Sequence, residues 1–310
     1  MLKQKERLDE MVSKVLLLGP GESGKSTVFR QMVIHFGKGL AQADRDGMIP
    51  LVRDNIINQI LMLAVQGPLV VEGLALTEQS QIILKSLLAE THPDLREKET
   101  QDSVNTLWND PAMQILVNEH LSEFQVQDSL GYFVGRIGEI GRRDYSPTDE
   151  DLIRVRVRTT GIVQASFEMD KHVFNIVDVG GQRSERKKWA LQFDNVKAVL
   201  FIVAASEYDQ TVWEYQDKNR MHESLEIFEE SLRHRSFTDC TFILFLNKAD
   251  LFEKKITNIS LSACFPDWDS SKDKDVEAAW KFLSQKFIDI ASVSTLSLTL
   301  GLNSDRYMPR

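Results

Sequence analysis

The sequence predicts an α/β protein, a mostly parallel sheet flanked by helices, with an all-helical insertion early in the chain. Three observations carry that expectation. Apolar runs of strand length recur at 15–18, 173–177, 198–203 and 241–246, and helix-period segments separate the later ones. A glycine-rich loop follows the first run and leads into a helix-compatible segment. Between about residues 42 and 150 the strand signal disappears and apolar residues recur at helical spacing instead.

Composition narrows the class. A chain of 310 residues, 42% of them hydrophobic, buries a sizeable core as one large or two ordinary domains. A net charge of −9 argues against binding nucleic acid through a basic surface. Two cysteines make no disulfide framework and suit a reducing compartment. No apolar run reaches the roughly 18 residues of a membrane span, so no transmembrane segment is expected. The start is charged, and Leu2 stands where N-myristoylation requires glycine, so a cytoplasmic chain without an N-terminal lipid is expected.

In chain order, residues 3–13 are expected to form a short charged helix that runs into a strand at 14–18. The loop helix is expected to stop near Gly37 and Gly39. In the insertion, Ile56, Ile57, Ile60 and Leu61 keep helical spacing, and Asp110-Pro111 and Pro147 punctuate as turns or helix starts. The stretch 151–161 reads in part as an edge strand, with arginines at 154, 156 and 158 outward and valines inward. Met221, Leu225 and Phe228 form one helical stripe, and a last helix is expected at about 276–290. Leu296, Leu298 and Leu300 alternate with Ser297 and Thr299, so that stretch can pair as a strand.

The loop reads Gly19-Pro20-Gly21-Glu22-Ser23-Gly24-Lys25-Ser26-Thr27, a phosphate-binding P-loop in its strand–loop–helix context. Gly21 and Gly24 let successive N–H groups converge on phosphate oxygens, and the helix adds the positive end of its dipole. Lys25 supplies a mobile charge, and the Ser26 hydroxyl can sit on Mg²⁺. Asp178-Val179-Gly180-Gly181-Gln182 ends the second strand run. Alone it could be a strand ending in a turn. Beside a P-loop, Asp178 can hold a water ligand of Mg²⁺, Gly181 can offer an N–H to a terminal phosphate, and Gln182 can orient an attacking water. Asn247-Lys248-Ala249-Asp250 follows the last strand run. A carboxylate at 250 accepts both donors of the guanine edge, whereas adenine would leave a buried group unpaired at a cost of about 1–3 kcal/mol. Asn247 can bond the ring edge and tie the loop down, and the Lys248 stem can cover the ring. A P-loop ATPase would fit the cradle alone and is opposed by Asn247 and Asp250.

Taken together, G-P-G-E-S-G-K-S-T, R-V-R-V-R-T-T-G, D-V-G-G-Q-R-S-E-R-K-K-W, N-R-M-H-E-S and F-L-N-K-A-D-L-F resemble the Gα subunits of heterotrimeric G proteins, from about residue 14 to 290. The resemblance implies a P-loop GTPase fold. Residues 1–41 and 151–310 would form a discontinuous Ras-like GTPase domain, and 42–150 an inserted all-helical domain. It implies GTP and GDP as ligands, Mg²⁺ as cofactor, and a GTP-hydrolysing switch that transduces signals from G-protein-coupled receptors to effectors. Catalysis would fall to Gln182 and to Arg156, the arginine supplied in cis. The nucleotide would be held by Gly21, Glu22, Ser23, Gly24, Lys25, Ser26, Thr27, Arg154, Thr159, Asp178, Gly181, Asn247, Lys248 and Asp250. The metal would be held by Ser26 and Thr159, with Asp178 acting through water. Arg186 and Glu223 would lock the second switch, and Arg183, Lys187, Lys188 and Trp189 would face the βγ dimer, effectors and GTPase-activating regulators. Partners would bring the chain to the cytoplasmic face of the plasma membrane.

The chain departs from the family pattern in three places. Its N-terminal helix is short, Pro20 replaces the usual alanine with no expected harm, and neither a T-C-A-T motif nor a receptor-binding helix follows residue 302. The expectation drawn from the ending is a truncated or alternatively spliced form. Its rival function is a nucleotide-binding-impaired scaffold or decoy for βγ and regulators.

Overall fold

A computed structural model of the chain describes residues 12–124, 126–212, 215–292 and 298–302. The contacts divide the chain into two compact units, one of residues 1–39 and 158–310 and the other of residues 40–157. The second boundary thus falls after Val157, so the segment bearing Arg154 and Arg156 belongs with the helices.

The first unit is built on a six-stranded sheet. Its strands are β1 (Val12–Leu18), β2 (Ile162–Met169), β3 (His172–Val179), β4 (Val196–Ala204), β5 (Thr241–Asn247) and β6 (Leu298–Leu302). Their spatial order is β2-β3-β1-β4-β5-β6, and every pairing is parallel except β2 with β3. Apolar runs mark the inner strands because both of their faces are covered. Leu16 and Leu18 join a core with Val177, Val179, Phe201, Val203 and Leu244, beneath helices Arg220–Leu232, Ala249–Ile256 and Val276–Ser292. Leu17, between them, turns to the other face with Ile176, Leu200 and Ile202, where Val28 and Phe29 of α1 (Lys25–Phe36) cover it. The alternation of period two is visible residue by residue. The Met221 and Phe228 stripe is buried, as its spacing predicts.

Two expectations are corrected here. Val12 and Ser13 belong to β1 rather than to a helix, and the rest of that proposed helix lies outside the described residues. The edge strand beside β3 is β2, not residues 151–161. Residues Asp149–Arg154 form a helix instead, because Thr148 and Asp151 make a reciprocal capping box and three acidic residues occupy its first turn. The arginine–valine stretch beyond Arg154 is neither helix nor strand. The residues 293–297, part of the expected leucine strand, also lie outside the described residues, whereas 298–302 do pair in parallel with β5.

The second unit contains no strand among its described residues. Its long helix α2 (Gln42–Val70) runs beside α3 (Glu78–Ala89), α4 (Lys98–Trp108) and α5 (Pro111–Glu119). Val52, Ile56, Ile60 and Leu63 of α2 pack with Val104, Leu107, Met113 and Leu116. By length and composition alone α2 could cross a bilayer. These burials identify it as the core helix of its unit. Asp110 caps α5 by accepting from Ala112 N at 2.9 Å, with Pro111 in the first helical position, so Asp110-Pro111 is a helix start. Short helices α6 (Leu130–Val134), α7 (Ile137–Ile140) and α8 (Asp149–Arg154) complete the unit.

Candidate functional site

In an open parallel sheet, ligands gather outside the carboxyl ends of the strands. Here β1 ends in the phosphate loop, β3 in Asp178 and β5 in Asn247. The loop closes on itself. Gly24 caps α1 at φ 99°, a left-handed conformation, and a Cβ there would lie 2.0 Å from Asn247 Nδ2. Glycine is required at this position on both counts. Asn247 Nδ2 donates to Ser23 O at 2.9 Å, so the end of β5 is tied to the phosphate loop.

Lys25 is buried and donates through Nζ to Gly19 O at 3.0 Å and Pro20 O at 2.6 Å. Pro20 therefore serves as an acceptor, for which it needs no N–H. Burial lowers the Lys25 pKa to about 8, and the Asp178 carboxylate offsets only part of that.

Ser26, Thr159 and Asp178 converge. Ser26 Oγ donates to Asp178 Oδ2 at 2.6 Å and lies 2.6 Å from Thr159 Oγ1, whose hydroxyl then donates to Ser26. Burial raises the Asp178 pKa against the pull of Lys25. Its other oxygen, Oδ1, is buried with no hydrogen-bond partner, and so is Oε1 of Gln182. Such orphaned acceptors mark places where a further donor or cation belongs. Two hydroxyls and a carboxylate are hard oxygen donors of the kind Mg²⁺ takes alongside substrate phosphates. No group of three or more His, Cys, Asp or Glu suited to a metal occurs among the described residues. A site built from hydroxyls and phosphates does not need one.

The segment after β3 is fastened by its own side chains. Trp189 Nε1 donates to Gly180 O at 2.8 Å, Arg186 Nε to Gly181 O at 3.0 Å, and Arg186 pairs with Glu223 at 2.8 Å. A Cβ on Gly181 would meet Lys25 Nζ at 2.2 Å and Pro20 O at 2.5 Å, so only glycine lets this backbone come so close to the cradle. Glu185 accepts from Gly161 N at 2.9 Å and from Lys188 at 2.6 Å, joining this segment to the one that carries Thr159. Trp189 corrects an expectation, since it is only 6% exposed and acts as an internal brace. Arg183, Lys187 and Lys188 are exposed, and Leu191 beside them is 72% exposed.

Sequence reasoning missed a buried ion network. Arg220 bonds Glu22 of the phosphate loop at 2.9 Å and Glu207 at 3.1 Å, and Lys248 bonds Glu207 at 2.8 Å. Burial works against the charge on Glu207, but Lys248 and Arg220 outweigh it and hold its pKa low. The network pins both Glu22 and Lys248, the latter at a left-handed φ of 59°. Its members lie far apart in sequence, so no motif announces them. Asp250 is exposed in the first turn of Ala249–Ile256. Thr27 lies in the first turn of α1.

The structure thus brings together Ser26, Thr159, Asp178, Gln182, Lys25 and Asn247 within the α/β unit. Arg154 and Arg156 lie in the helical unit and are held there. Ser129 Oγ donates to Arg154 O at 3.1 Å, and Asn55 Nδ2 to Arg156 O at 2.8 Å.

A family model described as G-protein alpha subunit matches residues 1–299. The guanine nucleotide-binding protein alpha-7 subunit of Caenorhabditis elegans is 37% identical over 287 residues, covering 91% of this chain and 81% of that protein. The alpha-1 subunit of Glycine max is 37% identical over 309 residues, covering 93% and 80%. The G(o) subunit alpha of Caenorhabditis elegans is 40% identical over 272 residues, covering 86% and 76%.

Proposed function

The chain belongs to the G-protein alpha-subunit family, and from that premise we propose that it is a GTP-hydrolysing switch whose chemistry runs on Lys25, Ser26, Thr159, Asp178 and Gln182, with Arg156 in cis. The observation that carries the reading is the hydroxyl–carboxylate cluster at the mouth of the phosphate loop, with the orphaned Gln182 Oε1 in the same unit.

The loop amides and Lys25 bind the phosphates of GTP. Ser26 and Thr159 would hold Mg²⁺ directly and Asp178 through water; when bound, the ion neutralises charge on the β- and γ-phosphates. Gln182 Oε1 accepts a hydrogen bond from the attacking water and orients it. As the water oxygen bonds to the γ-phosphorus, the bond to the bridging oxygen breaks and GDP is left. Arg156 stabilises the spread charge. An arginine so used is worth about 10³–10⁵ in rate, a figure drawn partly from Gα subunits themselves. Loss of the γ-phosphate removes what draws Thr159 and Gly181 inward. The contacts Arg186–Glu223 and Glu185–Gly161 then lose their common anchor.

Family membership sets this switch in a heterotrimeric G protein between receptors and effectors. We assign the exposed face of Arg183, Lys187, Lys188 and Leu191 to βγ, effectors and GTPase-activating regulators, and the cytoplasmic face of the plasma membrane as the place of work. A binding-only scaffold is not favoured by a family identity that extends over residues 1–299.

The test is displacement of a fluorescent guanine nucleotide from the purified chain. GTP and GDP should compete at least 100-fold better than ATP, because Asp250 leaves adenine with an unmatched edge. Equal competition by ATP would remove the base-reading role of Asn247 and Asp250.

A further inference from the structure

After α8 ends at Arg154, residues 155–160 have no ladder or helix to fix their backbone. Arg156, the candidate catalytic arginine, springs from this stretch. An arginine side chain has several free torsions, so its guanidinium is aimed only as well as its backbone is held. The helical unit holds that backbone at three successive points. Ser129 donates to the carbonyl of Arg154, Val155 is buried in the helical core, and Asn55 donates to the carbonyl of Arg156. Val157 packs against the same core.

Asn55 is itself restrained. Gln59 Nε2 donates to the Asn55 carbonyl at 2.8 Å, and the Gln127 backbone N–H donates to Gln59 Oε1 at 2.6 Å. The chain of bonds ties the arginine segment to α2 and to the loop before α6. Ser129 contributes less, because its one proton is divided between Arg154 O at 3.1 Å and Gln127 Oε1 at 3.2 Å. Asn55 commits its amide to Arg156 at a shorter distance.

We infer that Asn55 is a positioning residue for GTP hydrolysis, setting the backbone from which Arg156 reaches the transferring phosphoryl group. The inference rests on the reading of Arg156 as the arginine supplied in cis. Asn55 touches no substrate in this account, so its removal should slow hydrolysis and leave nucleotide binding unchanged. Displacing a catalytic group by an ångström costs up to about 100-fold. One lost backbone tether should allow part of that, about tenfold.

The experiment is single-turnover GTP hydrolysis by full-length Asn55→Ala, Asn55→Asp and Ser129→Ala, each in the parent and in the Arg156→Cys background. Binding of a non-hydrolysable GTP analogue is measured alongside. The expected result is about tenfold slower hydrolysis for both Asn55 variants, a smaller loss for Ser129→Ala, and analogue affinity within twofold of the parent. In the Arg156→Cys background the Asn55 variants should add no further loss, the non-additivity expected when one residue acts through another. Asn55→Asp keeps the shape and removes the donor, so it tests the bond even if the alanine variant folds poorly. Parent-like hydrolysis in both Asn55 variants would overturn the inference, as would equal slowing in both backgrounds. Hydrolysis by Arg156→Cys itself at the parent rate would overturn the assignment of Arg156, a separate and earlier failure.

Discussion

In the α/β unit the candidate residues other than Thr159 stand at or just after the ends of β1, β3 and β5, where buried parallel strands stop and ladder hydrogen bonds fix the backbone. In the helical unit Arg154 ends α8 and Arg156 stands just beyond it, where no ladder runs and Ser129 and Asn55 bond the carbonyls of Arg154 and Arg156. The first arrangement places main-chain amides, and it tolerates no Cβ at Gly24 or Gly181. The second places one long side chain, and it depends on polar contacts that a point substitution can delete. Nucleotide binding should therefore rest on the first unit, and substitutions in the second should fall on rate.

The comparison can be broken in order of expected effect. Arg156→Cys should slow single-turnover GTP hydrolysis by about 10³-fold while nucleotide affinity holds. A loss of affinity matching the loss of rate would mean that the helical unit contributes to binding in the ground state. Asp151→Ala comes next. Asp151 is fully buried and accepts from Thr148 N at 2.9 Å, Tyr132 OH at 2.9 Å and Tyr145 OH at 3.0 Å, besides pairing with Arg136. Removing it deprives Thr148 N, Tyr132 OH and Tyr145 OH of their acceptor while Arg136 keeps its pair with Glu139, at a cost of about 2–3 kcal/mol seen in chemical unfolding. A change under about 1 kcal/mol would show that water re-solvates the gap and that the network is not what holds α8.

The smallest effect is a proton. Without nucleotide, burial holds the Lys25 pKa near 8 instead of 10.5, so between those values the unfolded chain carries the proton and the folded one does not. Stability from this group therefore rises as pH rises through that window. Phosphates favour the charged form, so GDP binding at pH 8.5 should take up a fraction of a proton and weaken as pH climbs. Calorimetry in buffers of different ionisation enthalpy reads this directly. Proton release, or none, would mean that Lys25 is already charged in the free loop.

Much of the α/β unit was legible in the sequence because its constraints are local. Four apolar runs bounded by turn residues gave inner strands, and the phosphate loop and Asn247–Asp250 follow such runs at short, fixed spacing. Edge strand β2 was not legible, because none of its residues is fully buried and its pattern is weak. The arginine–valine alternation at 154–158 reads as a strand, but a capping box at Thr148 makes 149–154 a helix and residues 155–158 pair in no ladder. Trp189 was placed outward with its basic neighbours, yet its indole braces Gly180. The bonds from Asn55 to Arg156, Glu22 to Arg220 and Glu207 to Lys248 span long sequence distances. Pairings of that kind are set by the fold and leave no spacing to read.

The central claim is that Gln182 orients the attacking water beside a site built on Ser26, Thr159 and Asp178. The most direct measurement is single-turnover hydrolysis of pre-bound GTP by the parent chain and by Gln182→Leu, started with Mg²⁺. The account predicts a loss of about 100-fold or more in rate, with guanine-nucleotide affinity unchanged. Turnover by Gln182→Leu close to that of the parent would contradict it.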